Sequence, residues 1–154
     1  MNKVTPFLMF ADQLEPAIEL YTTTFPDSRV EKVARNGADG RLVSATFVVG
    51  GQLFMAFNGG PHFTFSEGFS MYVECEDQAE VDRYWDKLVA AGSKPTQCGW
   101  INDPFGLAWQ IVPRRFVQLL ADSDPRVVKA VVGAMMTMQK LDVAALEAAA
   151  ASVG

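Results

Sequence analysis

One histidine, His62, and two cysteines, Cys75 and Cys98, are all the imidazole and thiol in this 154-residue chain. Two cysteines that form no CxxC pair give neither a disulfide framework nor the ligand spacing of a structural zinc site, so both read as reduced thiols. Basic charge is sparse as well. Thirteen Lys and Arg against eighteen Asp and Glu leave a net charge of -5, and "PRR" at 113–115 is the only local basic pair. A phosphate-binding surface needs a basic stripe, so no nucleic-acid partner is expected. Long apolar runs are missing too: the opening "MNKVTPFLMFADQ" is interrupted by Asp12 before a signal-peptide core or a membrane span could form. The expectation is a cytoplasmic protein with no membrane partner.

What remains is an ordinary globular mix, 49% hydrophobic and 20% charged, long enough to bury one core. "VTPFLMF" (4–10) reads as a strand and "DQLEPAIELYTTTF" (12–25) as a helix with an Asp cap, a Pro near its start and apolar residues at helical spacing. "SRVEKVARN", "RLVSATFVVG" and "QLFMAFNG" follow, β-rich runs separated by the hairpin signals "GADG" and "GG". The order β-α-β-β-β then recurs. "FSMYVECE" (69–76) is a strand, "DQAEVDRYWDKLVAAG" (77–92) a helix ending on glycine, and "KPTQCGWI" and "LAWQIVP" supply shorter strands.

The repeat is anchored by "DQLE" at 12–15 and "DQAE" at 77–80, each between an apolar strand and an amphipathic helix. That alignment sets Thr5 against Ser70 and Phe7 against Tyr72. "GQLFMAF" (51–57) against "GLAWQIV" (106–112) pairs Met55 with Gln110, the extra length of the first half falling in the Gly37–Gly40 hairpin. After Pro113 the pattern turns helical. Val127, Val128, Val131, Val132, Met135 and Met136 form a stripe that either completes the core or covers a partner subunit, with Asp124-Pro125 as cap and first residue.

The two β-α-β-β-β modules, the "DPFG" turn, and the segments "TPFLMF" (5–10), "FNGGPHFTFSE" (57–67), "CGWINDPFGLAWQIVP" (98–113) and "LDVAALEAA" (141–149) resemble the glyoxalase, bleomycin-resistance and dioxygenase (vicinal oxygen chelate) superfamily. More narrowly they resemble its PhnB-like branch, catalogued as the 3-demethylubiquinone-9 3-methyltransferase family. The resemblance implies an α+β fold: paired modules, about 1–60 and 68–113, forming a cupped mixed sheet within a single domain, plus a helical tail over 114–154, often as a homodimer. Two open sheets and a Val/Met-striped tail point to the same homodimer, since a monomer would expose them.

In metal-using members the ligands, usually His or Glu, come from the first and last strands of each module. The corresponding residues here are Thr5 or Pro6, Met55, Ser70 and Gln110. Neutral hydroxyls, an amide and a thioether are too weak to hold a divalent transition metal, so no metal and no cofactor is expected. Gln110 instead is an uncharged polar group, either tied to protein neighbours or aimed at a ligand. Phe7, Tyr72, Trp100 and Trp109 are either core or, in part, the lining of a pocket for a planar or apolar molecule. The ligand-binding set expected is therefore Gln110, Phe7, Tyr72, Ser70, Met55 and Trp100.

Two residues have possible chemistry of their own. His62, in "GGPHF", could act as general acid or base, or be a loop histidine with structural bonds. Cys98 could be a nucleophile if a base such as His62 lowered its pKa, or a small apolar filler. Cys75 reads as core and Asp103 as the first residue of a type I turn. The leading expectation is a metal-free protein holding a small organic molecule, with any reaction left open. The alternatives are an enzyme, either a methyltransferase by family name or a metal-dependent lyase or dioxygenase by superfamily, and a module whose dimer surface is its function. A Rossmann-type S-adenosylmethionine site would put a glycine-rich turn at the first strand–helix junction, where this chain has "FADQLEP".

Overall fold

The computed structural model describes residues 2–154 and divides the chain into two compact units, Met1–Phe65 and Ser66–Gly154. The first is β1 (Phe7–Phe10), α1 (Leu14–Thr24), β2 (Arg29–Arg35), β3 (Leu42–Val49) and β4 (Gln52–Asn58). Its sheet runs β1-β4-β3-β2, with β1 parallel to β4 and the other pairs antiparallel. Leu8, Phe10, Ala45, Phe47, Phe54 and Ala56 are buried, as are Leu14, Ala17, Ile18 and Tyr21 of α1, which packs against β3 and β4. The alternate residues Phe7, Met9, Thr46 and Met55 stand on the opposite face of the pleat and keep solvent exposure.

The second unit repeats the plan with β5 (Ser70–Cys75), α2 (Gln78–Ala90), β6 (Lys94–Pro95), β7 (Trp100–Asn102) and β8 (Ala108–Pro113), in the order β5-β8-β7-β6 and again with the outer pair β5-β8 parallel. The registers make the repeat residue-specific. Phe7 lies opposite Met55 in one sheet, and Tyr72 lies opposite Gln110 in the other, as the sequence alignment of the halves requires. The difference in length is in the middle strands: seven and eight residues for β2 and β3, two and three for β6 and β7.

Two local expectations are corrected. The first strand begins at Phe7 rather than Val4, since pairing starts where Met55 N–H reaches the Pro6 carbonyl. The helix that follows is not capped by Asp12: Gln13 occupies the N-cap without a side-chain bond, and the Leu14 N–H donates instead to Asn58 Oδ1, at 3.1 Å. Asn58 is held in turn by its own amide, which donates to the Leu42 carbonyl. In the second unit Asp77 caps α2 through Glu80 N–H as the sequence implies.

The tail forms α3 (Arg114–Leu120), α4 (Pro125–Met135, capped by Asp124) and α5 (Val143–Ala151). Val131 of the α4 stripe is buried with Val112, Phe116, Leu119, Leu141 and Leu146, and Val127 and Met135 pack beside it. Val132 and Met136 stay exposed. The stripe therefore splits, one edge completing the core of the second unit and the other facing solvent.

Candidate functional site

In the first unit one row of side chains on the open face borders a hollow. Strand register sets Phe7 opposite Met55, Met55 opposite Thr46, and Thr46 opposite Lys32. Directly opposed residues share a face. They line a concavity of about 310 Å³, to which Ser44 and Ala56 also contribute. Phe7, on the edge strand β1, is 52% exposed and Met55, on β4 beside it, 37%, so the row leaves contiguous apolar surface open.

The equivalent row of the second unit is Tyr72, Gln110 and Trp100. Tyr72 is 55% exposed, matching its counterpart Phe7, while Gln110 and Trp100 are half-buried. Partial burial, with Glu74 adding to it, pushes the Tyr72 phenol above its ordinary pKa, so the hydroxyl stays protonated and able to donate at neutral pH. Gln110 Nε2 donates to Ser70 Oγ at 2.9 Å. Among the described residues no group donates to Gln110 Oε1, so one end of the amide is tied to protein and the other end is left for a ligand or water. Of the two sequence readings of Gln110, the tie to a protein neighbour is present, at Ser70. Glu74, the carboxylate two residues beyond Tyr72, is engaged by Arg114 Nε at 3.0 Å.

These donors do not suit a metal. Phe7 and Met55 in one unit, and Ser70, Tyr72 and Gln110 in the other, supply a phenyl ring, a thioether, two hydroxyls and an amide, with no charge to balance a divalent ion. Among the described residues no three of His, Cys, Asp and Glu gather where they could hold one. Thr5 precedes β1, and the first-strand residue facing Met55 is Phe7.

His62 sits in the exposed loop between β4 and β5, and no described residue hydrogen-bonds or ion-pairs with its ring. Cys98 adopts a left-handed backbone (φ 58°) at the turn before β7, its N–H donating to the Met138 carbonyl and its Sγ 3.8 Å from Met136 Sδ. These two partners, a tail carbonyl and a thioether, are not bases. Trp109 and Asp103 are structural. The indole Nε1 donates to Asp103 Oδ2 at 3.0 Å, while Oδ1 accepts from the Phe105 and Leu107 N–H groups at 2.9 Å each.

Cys75 is wholly buried, and that burial, reinforced by the Glu80 charge, pushes its thiol up to about 12. A pKa raised in the folded state favours the neutral form, so the stability this thiol lends is complete below pH ~9 and is lost as pH climbs from there toward 12. Iodoacetamide at neutral pH is expected to label Cys98 and leave Cys75 intact until the protein is unfolded. Peptide mass mapping checks this, and equal labelling of both in the native state would contradict the burial.

Lys32 and Thr46 were not singled out by the sequence, although a signal is there. In "RVEKVAR" the apolar Val30 and Val33 are three residues apart, whereas a regular strand would space them by two. That spacing marks a bulge.

The family described as 3-demethylubiquinone-9 3-methyltransferase matches residues 2–112, both modules but not the tail. No curated protein matches. Among solved structures, the PhnB protein from Bacillus cereus is 32% identical, with 73% of this chain and 99% of that one covered and a TM-score of 0.67. A protein from Pseudomonas aeruginosa is 22% identical over 73% of this chain and 98% of its own, with a TM-score of 0.59. The fosfomycin resistance protein FosX from Mesorhizobium loti shares the fold at 15% identity over 71% of this chain and 90% of its own, TM-score 0.52. With both modules matched and the sheet registers duplicated between them, the chain belongs to the 3-demethylubiquinone-9 3-methyltransferase family, the PhnB-like branch of the glyoxalase and bleomycin-resistance superfamily.

Proposed function

We propose that this chain is a metal-free ligand-binding member of its family, holding a small organic molecule on the open sheet faces where metal-using relatives of the superfamily keep their ligands. The observation that carries this is the concavity of about 310 Å³ bordered by Phe7, Met55 and Thr46, at the small end of the range usual for ligand sites. On the second unit, taken by itself, the half-engaged Gln110 amide beside Tyr72 and Trp100 is a separate polar group of the kind that orients a ligand. The methyltransferase activity in the family's description has no Rossmann-type site to draw on, since each sheet has only one parallel pair and no glycine lies between Phe10 and Leu14. Exposed Val117, Leu120, Val132 and Met136 on the tail favour a homodimer.

Native mass spectrometry of gently purified protein, with elemental analysis of the same sample, tests the reading. A small-molecule adduct on a pair of 16.8-kDa chains is expected, with metal well below one per chain after chelator. Gln110→Leu should alter unfolding stability by no more than about 1 kcal/mol, since a single hydrogen bond to a hydroxyl is lost. One zinc, nickel, iron or manganese per chain surviving chelator would refute it.

A further inference from the structure

The edge strand of the first unit contains an irregularity that decides which charge faces the concavity. Val30 pairs with Phe47 and Val33 with Ala45, both on the α1 face, yet Lys32 pairs with Thr46 on the open face. The register slips between Val30 and Lys32, so Glu31 is the extra residue of a β-bulge. In an unbroken strand the residue opposite Thr46 would be Glu31. The bulge sets Lys32 against Thr46 as well, and of the two it is Lys32 that lines the hollow. The Glu31 carboxylate is already engaged by a strand neighbour: its Oε1 accepts from Arg29 Nε at 2.8 Å. Among the described residues Lys32 has no ion pair of its own. Bulges are over-represented at sheet edges and beside functional sites, where they re-aim a side chain, and here the residue brought against Thr46 is the cation that lines the hollow.

From this arrangement we infer that the first-unit site takes a small molecule with a planar or apolar body and a single carboxylate. The body lies on Phe7 and Met55, and the carboxylate meets Lys32 with the Thr46 hydroxyl beside it as a second donor. The size of the hollow suits a one-ring compound. A neutral ligand would leave Lys32 with nothing to do there, and a multiply charged one would find no second cation among the residues lining the hollow. This assignment rests on the ligand-binding reading above and adds the class of ligand.

Benzoate and its neutral isostere benzamide separate the two ideas. Each is titrated into the full-length protein and its variants while the backbone amide resonances of Phe7, Thr46 and Met55 are followed. In the wild type both probes should shift these amides, benzoate with at least a tenfold lower dissociation constant. Lys32→Met should weaken benzoate at least tenfold and leave benzamide unchanged, and Lys32→Arg should restore most of the benzoate affinity. Unaltered dispersion of the other amides in Lys32→Met shows that the exposed substitution has left the fold in place. If benzoate binds Lys32→Met as well as wild type, or shifts amides remote from this row, the carboxylate assignment is overturned. The ligand-binding proposal survives that result so long as benzamide still shifts Phe7 and Met55. Neither probe shifting them in any variant overturns both.

Discussion

Asp103→Ala is expected to lower the unfolding free energy by about 3–5 kcal/mol, the larger of the polar effects this fold offers. The side chain is 5% exposed and closes the turn before β8 with three accepted bonds, from the Phe105 and Leu107 N–H groups and from the Trp109 indole. Leu107 and Trp109 are themselves buried. Truncation at Asp103 removes hydrogen bonds to a charged acceptor, worth roughly 1.5–3 kcal/mol each, and strands donors that water cannot reach. Asp103→Asn keeps the size and one oxygen but turns an amide N–H toward donors, so an intermediate loss of about 2 kcal/mol is expected. All three tryptophans, Trp85, Trp100 and Trp109, lie in the second unit, which makes intrinsic fluorescence in urea its direct reporter. A lowered midpoint at constant slope is the expected signature, and a change below 1 kcal/mol for Asp103→Ala would show that the turn holds its shape without the carboxylate.

That turn was readable in advance because its chemistry is local: Asp, Pro and Gly at the first, second and fourth positions specify it whatever surrounds them. The duplicated modules were readable for a similar reason. Strand and helix periods alternate in the same order twice; "DQLE" and "DQAE" match Phe7 with Tyr72, "GQLFMAF" and "GLAWQIV" match Met55 with Gln110, and the registers set these same residues opposite one another, Phe7 with Met55 and Tyr72 with Gln110. What escaped depends on contacts between distant residues. The cap of α1 comes from Asn58, 44 residues beyond Leu14, so Asp12 was the better local candidate and the wrong one. The bulge at Glu31 can be recognised from valine spacing, but which face Lys32 then occupies follows only from its pairing with Thr46. At Gln110 the sequence showed a neutral group in a strand otherwise apolar, and the division of its amide between Ser70 and an open side required the neighbouring strand.

The tail is the other feature whose role required tertiary structure, and Leu141→Ala should show how far the second unit leans on it. Leu141 is fully buried among Val112, Phe116, Leu119, Val131 and Leu146, so its truncation is expected to lose about 3–4 kcal/mol through transfer and cavity terms together. The seam beside it is hydrogen-bonded: Cys98 and Gly99 N–H donate to the Met138 and Gln139 carbonyls, and Gln78 bridges the Leu141 carbonyl and the Val143 N–H. Gly99 is the point of closest approach. Its φ is +85°, and a Cβ added there would lie 3.0 Å from Leu141 Cγ and Cδ1 and 3.2 Å from the Ile111 carbonyl oxygen. Gly99→Ala is therefore expected to lose about 1–3 kcal/mol from backbone strain alone, with further loss from the clash. Because Leu141→Ala removes the clashing side-chain atoms but neither the strain nor the Ile111 contact, the double variant should be more stable than the sum of the two losses predicts. Tryptophan fluorescence melts of the four proteins measure that coupling. Strict additivity would mean that Leu141 and Gly99 do not bear on each other, and that the tail is held to β7 by its hydrogen bonds rather than by this packing.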